Sequence, residues 1–466
     1  MLHKLFQFIT AFFISLAAFI LIPRDAISEQ AIQLFSIFIF TIASIMMKLF
    51  TMGQSSLIGL TLCILTKTLT FKEAFSGFQN SVVWLVVLAF FIAKGFVKTG
   101  LGMRIAYHIM NRLGKSSLGL GYGIALTDLI IAPVIPSMTA RSGGVIYPIV
   151  MSLEKVFRKD SSHHPGLIGA YLVQVAFQIT NVTGAMFLTA MAGNPLVVDL
   201  ASQFGINITW EMWAKAAFLP GIIAFLAVPF ILYVFYPPEI KKTPEAPIIA
   251  KKALAEMGPI KRQEWLLILV FGLLLVLWIF GPLIKLDATV ATMIGLIFLL
   301  LTQVLSWEEV IMEKSAWDTL IWFSTLVMMA SFLNQLGFIP AVSSSIAKNL
   351  VGLPFNLAFL TTILIYFYSH YFFASNVAHI GAMFPAFLAV LLDIQTPPYI
   401  AALILGFVSN LFGCLTHYGS GPAPMLFSSG FVKINTWWKI GFFMSLVYIV
   451  IYLGVGGFYW KMLGLY

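Results

Sequence analysis

Long apolar stretches recur from one end of the chain to the other, separated by short polar segments. A helix needs about 20 predominantly apolar residues to cross the hydrocarbon core of a bilayer, and many of these stretches approach that length. The pattern predicts an all-α polytopic membrane protein with about 11 transmembrane helices. They are expected near residues 5–22, 31–49, 52–69, 81–100, 166–190, 213–235, 264–284, 288–305, 318–337, 399–418 and 437–459.

Two further apolar stretches do not fit an unbroken helix. Residues 118–153 and 354–392 are each too long for one crossing, and small and polar residues interrupt both in the middle. Irregular backbone at membrane depth must be buried in protein or line water, because unpaired amide groups are costly in hydrocarbon. We therefore predict that each stretch is a re-entrant helical hairpin with a break inside the membrane.

The two interrupted stretches are related in sequence. In both, a serine follows a tryptophan by 53 residues, and this offset aligns Ser137–Gly143 with Ser375–Gly381. Serine, alanine and glycine coincide, and Arg141 aligns with His379. An odd number of predicted crossings separates the two copies, so they should be inverted repeats, which are typical of secondary transporters. An Asn-x-x-Gly sequence follows in each copy, at Asn181–Gly184 and Asn410–Gly413.

The repeat divides the chain into five parts, each defined by its place relative to the two copies. They are N-terminal scaffold helices (1–80), a first repeat half (81–235) with the hairpin 118–153, a basic connector (236–263), further scaffold helices (264–317), and a second repeat half (318–466) with the hairpin 354–392.

Composition excludes a soluble protein, since 60% of the residues are hydrophobic and 10% are charged. The net charge is +9, and six basic residues lie in the connector 236–263. The positive-inside rule places the connector and the N-terminus in the cytoplasm. Phospholipid headgroups are favoured over nucleic acid as the partner of the connector, because no aromatic residues alternate with its basic residues.

The first apolar stretch has no cleavage pattern and no presequence before it, which favours a bacterial inner (plasma) membrane.

The break in each hairpin offers a binding site for an anion. A helix that restarts inside the membrane presents free N–H groups and the positive end of its dipole, which attract a carboxylate. Two such tips at a shared site suit a substrate with two carboxylates. Directional hydrogen bonds can come from the hydroxyls of Ser137, Thr139 and Ser375 and from the amide of Asn376.

Three titratable or charged residues near the tips have alternative interpretations. Arg141 could bind an anionic substrate, or it could pair with a nearby acid such as Asp128. His379 and His417 could contribute to the site, or each could be a hydrogen-bonded structural group. No nucleophile constellation and no metal-ligand spacing stands out, so an enzyme is the remote alternative, and neither a metal nor a cofactor is expected.

Three segments carry a family resemblance. Ile135–Gly144, Ser369–His379 and Leu415–Pro424 resemble the divalent anion/sodium symporter family, in particular its 2-oxoglutarate/malate and citrate or tartrate/succinate translocator branch. The resemblance implies that two hairpin tips hold the substrate carboxylates, that the protein is a homodimer, and that a transport domain moves past a scaffold as in an elevator.

The resemblance also assigns site residues by position. Those implied for the substrate are Ser137, Met138, Thr139, Arg141, Ser375, Asn376, Val377, His379, Thr416, His417, Gly421 and Pro422. Those implied for a candidate sodium site are Ser137, Gly193, Asn194, Asn376 and Ser420.

Neither tip keeps the full Ser-Asn-Thr set of the family. Met138 replaces the asparagine of the first tip, and Val377 replaces the threonine of the second. Sodium prefers hard oxygen ligands, which a thioether does not supply. We therefore expect sodium-independent exchange of one dicarboxylate, such as 2-oxoglutarate, malate or succinate, for another. Sodium-coupled symport of the same substrates is the alternative.

Overall fold

The structure is a computed structural model that describes residues 2–22, 27–160, 167–350 and 353–465. These residues form helices and connecting loops, with no strand among them. Seven helices are long and apolar enough to cross a membrane, and five shorter helices are also apolar. The predicted all-α polytopic architecture is therefore confirmed.

The first half of the chain begins with an apolar helix and continues through the first interrupted pair. A π-helical turn, Ser142–Ile146, joins α8 to α9. The helices are α1 (Leu2–Leu21), α2 (Glu29–Met46), α3 (Met52–Leu65), α4 (Phe71–Ala74), α5 (Ser81–Thr99), α6 (Leu101–Leu113), α7 (Ser117–Ile131), α8 (Met138–Arg141), α9 (Tyr147–Asp160), α10 (Leu167–Met186), α11 (Gly193–Ser202) and α12 (Trp210–Phe235).

The second half begins with a helix in the connector and then repeats the order of the first half. A π-helical segment, Val450–Gly456, joins its last two helices. The helices are α13 (Glu245–Met257), α14 (Arg262–Phe280), α15 (Ala288–Leu301), α16 (Trp307–Ile311), α17 (Lys314–Gln335), α18 (Phe338–Leu350), α19 (Phe355–Tyr368), α20 (Asn376–Asp393), α21 (Pro398–Leu411), α22 (Pro422–Phe427), α23 (Ile434–Ile449) and α24 (Gly457–Met462).

Local backbone features recur in the two halves. The one-turn helices α4 and α16 both begin with a capping box, in which a hydroxyl and a glutamate satisfy the free N–H groups of the first turn. Left-handed residues also occupy matching junctions, which supports the predicted duplication. They are Lys48 and Lys285 (φ 53° and 54°), Lys67 and Gln303 (φ 57° and 58°), and Gly100 and Gly337 (φ 75° and 80°).

Both predicted breaks are present. α7 ends at Ile131, and Pro133 and Pro136 then remove two backbone donors, so the helix cannot continue before Met138. In the second hairpin, α19 is followed by a 3₁₀ turn, and the next helix starts at Asn376.

The connector is more ordered than its charge suggests. Its helix α13 packs on α6, and the backbone N–H of Thr243 donates to the carbonyl of Lys115 at 3.0 Å. The Nε of Arg104 on α6 donates to Glu264 at 2.7 Å, and both side chains are buried. Hydropathy did not predict α6, α13 and α18, because helices of 13 residues are too short to be recognised as spans.

Candidate functional site

Ser137 begins the first tip. It lies in extended backbone after the proline-containing break, and its hydroxyl accepts a hydrogen bond from the N–H of Ala140 at 3.1 Å. This is an N-cap, which satisfies one of the four free N–H groups of the restarting helix and leaves others for a ligand. Met138 is buried, whereas Thr139 is exposed beyond the cap.

Ser375 begins the second tip in the same way. Its hydroxyl accepts from the N–H of Ala378 at 3.4 Å, and the 18-residue helix α20 follows. Asn376 is buried and donates to the carbonyl of Ser409 at 3.0 Å, whereas Val377 is partly exposed. The two tips therefore share one local design, a serine-capped helix N-terminus.

Each tip lies against a loop of the other half. The hydroxyl of Thr139 on the first tip faces Gly421 so closely that a Cβ at that glycine would collide with it. Val377 on the second tip lies beside Gly193, where its Cγ2 is 3.6 Å from the position that a Cβ would take. The two tips and the two loops that precede α11 and α22 thus converge on one region.

The asparagines of the two Asn-x-x-Gly sequences cross between the halves. The Oδ1 of Asn181 faces Gly413, and the Oδ1 of Asn410 faces Gly184. Neither oxygen has a hydrogen-bond partner, although both are buried. Buried polar atoms are normally paired, so these oxygens are available to a ligand. The amide of Asn410 donates to Asn194 at 2.7 Å.

Arg141 lies behind the first tip rather than at its surface. Its side chain is excluded from solvent, and its Nε pairs with Asp128 Oδ1 at 3.0 Å. One Nη donates to the carbonyls of Ile135 at 2.8 Å and Ala190 at 2.5 Å, which ties the break to the loop before α11. Of the two interpretations of Arg141, the structure favours the structural ion pair over direct contact with an anion.

His379 occupies the equivalent position behind the second tip. It is fully buried, and its Nδ1 lies 3.0 Å from His370 Nδ1. The Nε2 of His370 lies 2.7 Å from the carbonyl of Gly419 and can only donate there, so its Nδ1 accepts from His379. The histidine pair thus ties the second tip to the loop before α22, as Arg141 does in the first half.

The remaining predicted residues lie in the two loops. His417 is partly exposed and accepts a hydrogen bond from Trp438 Nε1 at 3.0 Å through Nδ1. Gly421 is exposed at the start of α22. The others are buried. They are Thr416, Pro422, Gly193, Asn194 and Ser420.

A family model described as the sodium:sulfate symporter transmembrane region matches residues 2–466. The chain belongs to the divalent anion/sodium symporter family. It is 46% identical to a candidate malate transporter, YflS, of Bacillus subtilis, over 95% of this chain and 93% of that protein. It is also 46% identical to the chloroplastic dicarboxylate transporter 1 of Spinacia oleracea, over 95% of this chain and 78% of that protein. These relatives are transporters, so the expectation that the chain is no enzyme is confirmed.

Two solved structures share the fold of this symporter-family chain. MtrF of Neisseria gonorrhoeae, described with a class of antimetabolite efflux pumps, aligns with a TM-score of 0.59 at 14% identity, over 85% of this chain and 83% of that one. The YdaH transporter of Alcanivorax borkumensis aligns with a TM-score of 0.53 at 14% identity, over 88% and 89%. At this identity the likeness concerns the fold alone.

Two residues beside the candidate site of this symporter-family protein were not identified from the sequence. His370 had no visible partner, because its contacts with His379 and Gly419 depend on the tertiary fold. Lys48, between α2 and α3, lines a cavity with Ser375 of the second tip. A lysine at the end of an apolar stretch is too common a pattern to identify it.

Proposed function

We propose that the protein carries small dicarboxylates across the membrane, with one carboxylate at each hairpin tip. The observation that carries the proposal is the pair of serine-capped helix N-termini at Ser137 and Ser375. Each presents unpaired N–H groups to an anion. Thr139 supplies an exposed hydroxyl and Ser375 a partly exposed one, and Arg141 and His379 hold the backbone behind the tips. Relatives named as malate and dicarboxylate transporters support this substrate class.

We further propose sodium-independent exchange, in which one dicarboxylate leaves as another enters. Met138 is buried at the first tip, and its sulfur lies on the same side of Gly184 as the unpaired Oδ1 of Asn410. A thioether there supplies no hard ligand for sodium.

The amphipathic helices α6 and α18 join a span to each hairpin, which supports an elevator movement of the hairpins. We propose a homodimer in a bacterial inner membrane, with the connector cytoplasmic.

Sodium-coupled symport is the second candidate. At the second tip, the unpaired Oδ1 of Asn181 and the side chain of Ser420, whose hydroxyl is also unpaired, lie next to Gly413, and the Nδ2 of Asn376 is adjacent. This set of oxygens suits a hard cation better than the first tip does. In this candidate, sodium binds at the second tip alone and is transported together with the dicarboxylate.

Proteoliposomes distinguish the two candidates. Vesicles loaded with malate and offered labelled 2-oxoglutarate should take up label without sodium, and vesicles without internal substrate should not. A panel of succinate, citrate and tartrate as internal substrates then defines the preferred pair. Uptake that needs a sodium gradient and proceeds into empty vesicles would establish symport. If labelled dicarboxylate is not taken up under any condition, the proposed substrate class is wrong.

A further inference from the structure

A cavity of about 580 Å³ opens beside the second tip. One wall is the loop between α2 and α3 together with the start of α3, and the other wall is the tip itself. The polar side chains that line it come from both walls, so the cavity joins the scaffold side of the protein to the N-terminus of α20. They include Lys48, Gln54 and Ser375.

Lys48 is an unpaired cation at this cavity. It is exposed, and within the described part of the chain no carboxylate lies within ion-pair distance of it. Some other cations on the helices do have acidic partners that compensate their charge. These pairs are Arg141–Asp128 at 3.0 Å, Arg104–Glu264 at 2.7 Å, Lys94–Glu313 at 3.2 Å and Lys98–Glu309 at 2.7 Å.

A structural role alone does not account for the position of Lys48. It ends α2 in a left-handed conformation, where a positive charge also complements the helix dipole. Lys67 does the same at the end of α3, with φ 57° against 53°, yet it does not line this cavity. What distinguishes Lys48 is that it lines the same cavity as Ser375 of the second tip.

We propose that Lys48 is the cation that recognises the negative charge of the substrate at the second tip. The inference rests on the proposed function and deepens it, because it assigns charge recognition to the scaffold rather than to Arg141. The N–H groups of α20 and the hydroxyl of Ser375 bind one carboxylate from the hairpin side. The ammonium of Lys48 faces that carboxylate across the cavity. It compensates the negative charge of the carboxylate, which the neutral groups of the tip cannot do.

Lys48→Gln tests the proposal with little disturbance of the backbone. Glutamine already occupies left-handed positions at Gln303 and Gln395 (φ 58° and 65°), so the substitution removes the charge without new strain. In exchange assays, Lys48→Gln should raise the KM for a dicarboxylate about tenfold and leave the maximal rate within about twofold. Lys48→Arg, which keeps the charge, should stay close to the wild type.

Lys67→Gln is the matched control, because the same substitution is made at the same backbone conformation away from the cavity. Its KM should be unchanged. A second readout is the rise in unfolding temperature that succinate causes in detergent, which should need a higher succinate concentration in Lys48→Gln. An unchanged KM, or an equal loss in Lys67→Gln, would overturn the role of Lys48. If the wild type neither binds nor carries a dicarboxylate, the proposed function fails first, and this inference fails with it.

Discussion

Arg141 and Asp128 form an ion pair, with 3.0 Å between Nε and Oδ1, and both side chains are shielded from solvent. Asp128 lies on α7 before the break, and Arg141 closes α8 after it, so the pair spans the interrupted segment. Thr183 on α10 also donates to Asp128. The pair therefore fixes how the two parts of the first hairpin sit on α10.

Removing one partner of this pair should destabilise the protein. A buried pair that loses one member leaves an uncompensated charge, at a cost of about 3–5 kcal/mol. Arg141→Gln should therefore lower the unfolding temperature in detergent, as should Asp128→Asn. The double variant should lose less than the sum of the two, because neither charge then remains alone.

Lys215→Gln is the control for this cycle, since Lys215 pairs with Glu211 in an exposed position on α12. Exposed pairs contribute little, so the unfolding temperature should hardly change. If Arg141→Gln unfolds like the wild type but no longer binds dicarboxylate, Arg141 contacts the substrate after all, and the structural interpretation is wrong.

The spans were predictable from sequence because hydropathy alone determines them. The fourth span was expected at 81–100 and is found at Ser81–Thr99. The amphipathic helix α6 was not predicted, since its 13 residues owe their position to packing on α7 and α13 rather than to the bilayer. From the sequence alone, Arg104 on this helix would be expected at the surface. It is instead buried and paired with Glu264, which lies 160 residues further along the chain.

The tip serines were also predictable, because the duplicated motif marks both breaks. The motif did not determine whether the side chain of the fourth residue after each serine points toward the tip or away from it. Arg141 turns away from the tip toward the loop before α11, and His379 turns toward His370, which in turn bonds the loop before α22. Such contacts depend on how distant segments of the chain pack, which no local pattern records.

The link from His370 to Gly419 should be needed to hold the second loop. His370→Phe keeps an aromatic ring that can stack on Phe412, whose centroid lies 3.9 Å away, but it removes both hydrogen bonds. A buried carbonyl and a buried imidazole then lose their partners, at about 1–3 kcal/mol each. The variant should unfold at a lower temperature and show a raised KM in exchange assays.

His108→Gln serves as the control for this variant, because His108 lies exposed on α6. It should match the wild type in both measurements. Normal stability and normal KM in His370→Phe would mean that the loop before α22 is held by other contacts.

The close approach of Thr139 to Gly421 should make that glycine intolerant of any side chain. In Gly421→Ala the new methyl would meet the hydroxyl of Thr139, so the Thr139 hydroxyl must rotate away, or the first tip or the loop must shift. Because Gly421 and Thr139 are both exposed, the unfolding temperature should change little. Exchange should nevertheless fall about tenfold or more, since displacing a binding group by about an ångström is costly.

Gly272→Ala provides the comparison for Gly421→Ala, because a Cβ at Gly272 on α14 would meet none of the described atoms within 4 Å. It should transport normally. Full activity in Gly421→Ala would show that the first tip and the second loop do not need their present spacing.

Met138→Asn should introduce a response to sodium. The substitution gives the first tip the residue type that Asn376 provides at the second, and it adds an amide oxygen near the unpaired Oδ1 of Asn410. Two such oxygens beside backbone carbonyls begin to form the hard ligand set that sodium requires. Uptake by this variant should therefore be faster in sodium buffer than in choline buffer, whereas the wild type should be indifferent. Met138→Leu, which keeps an apolar side chain of similar volume, should remain indifferent as well. Equal rates for Met138→Asn in both buffers, with the protein folded and active, would remove the methionine from the explanation of sodium independence.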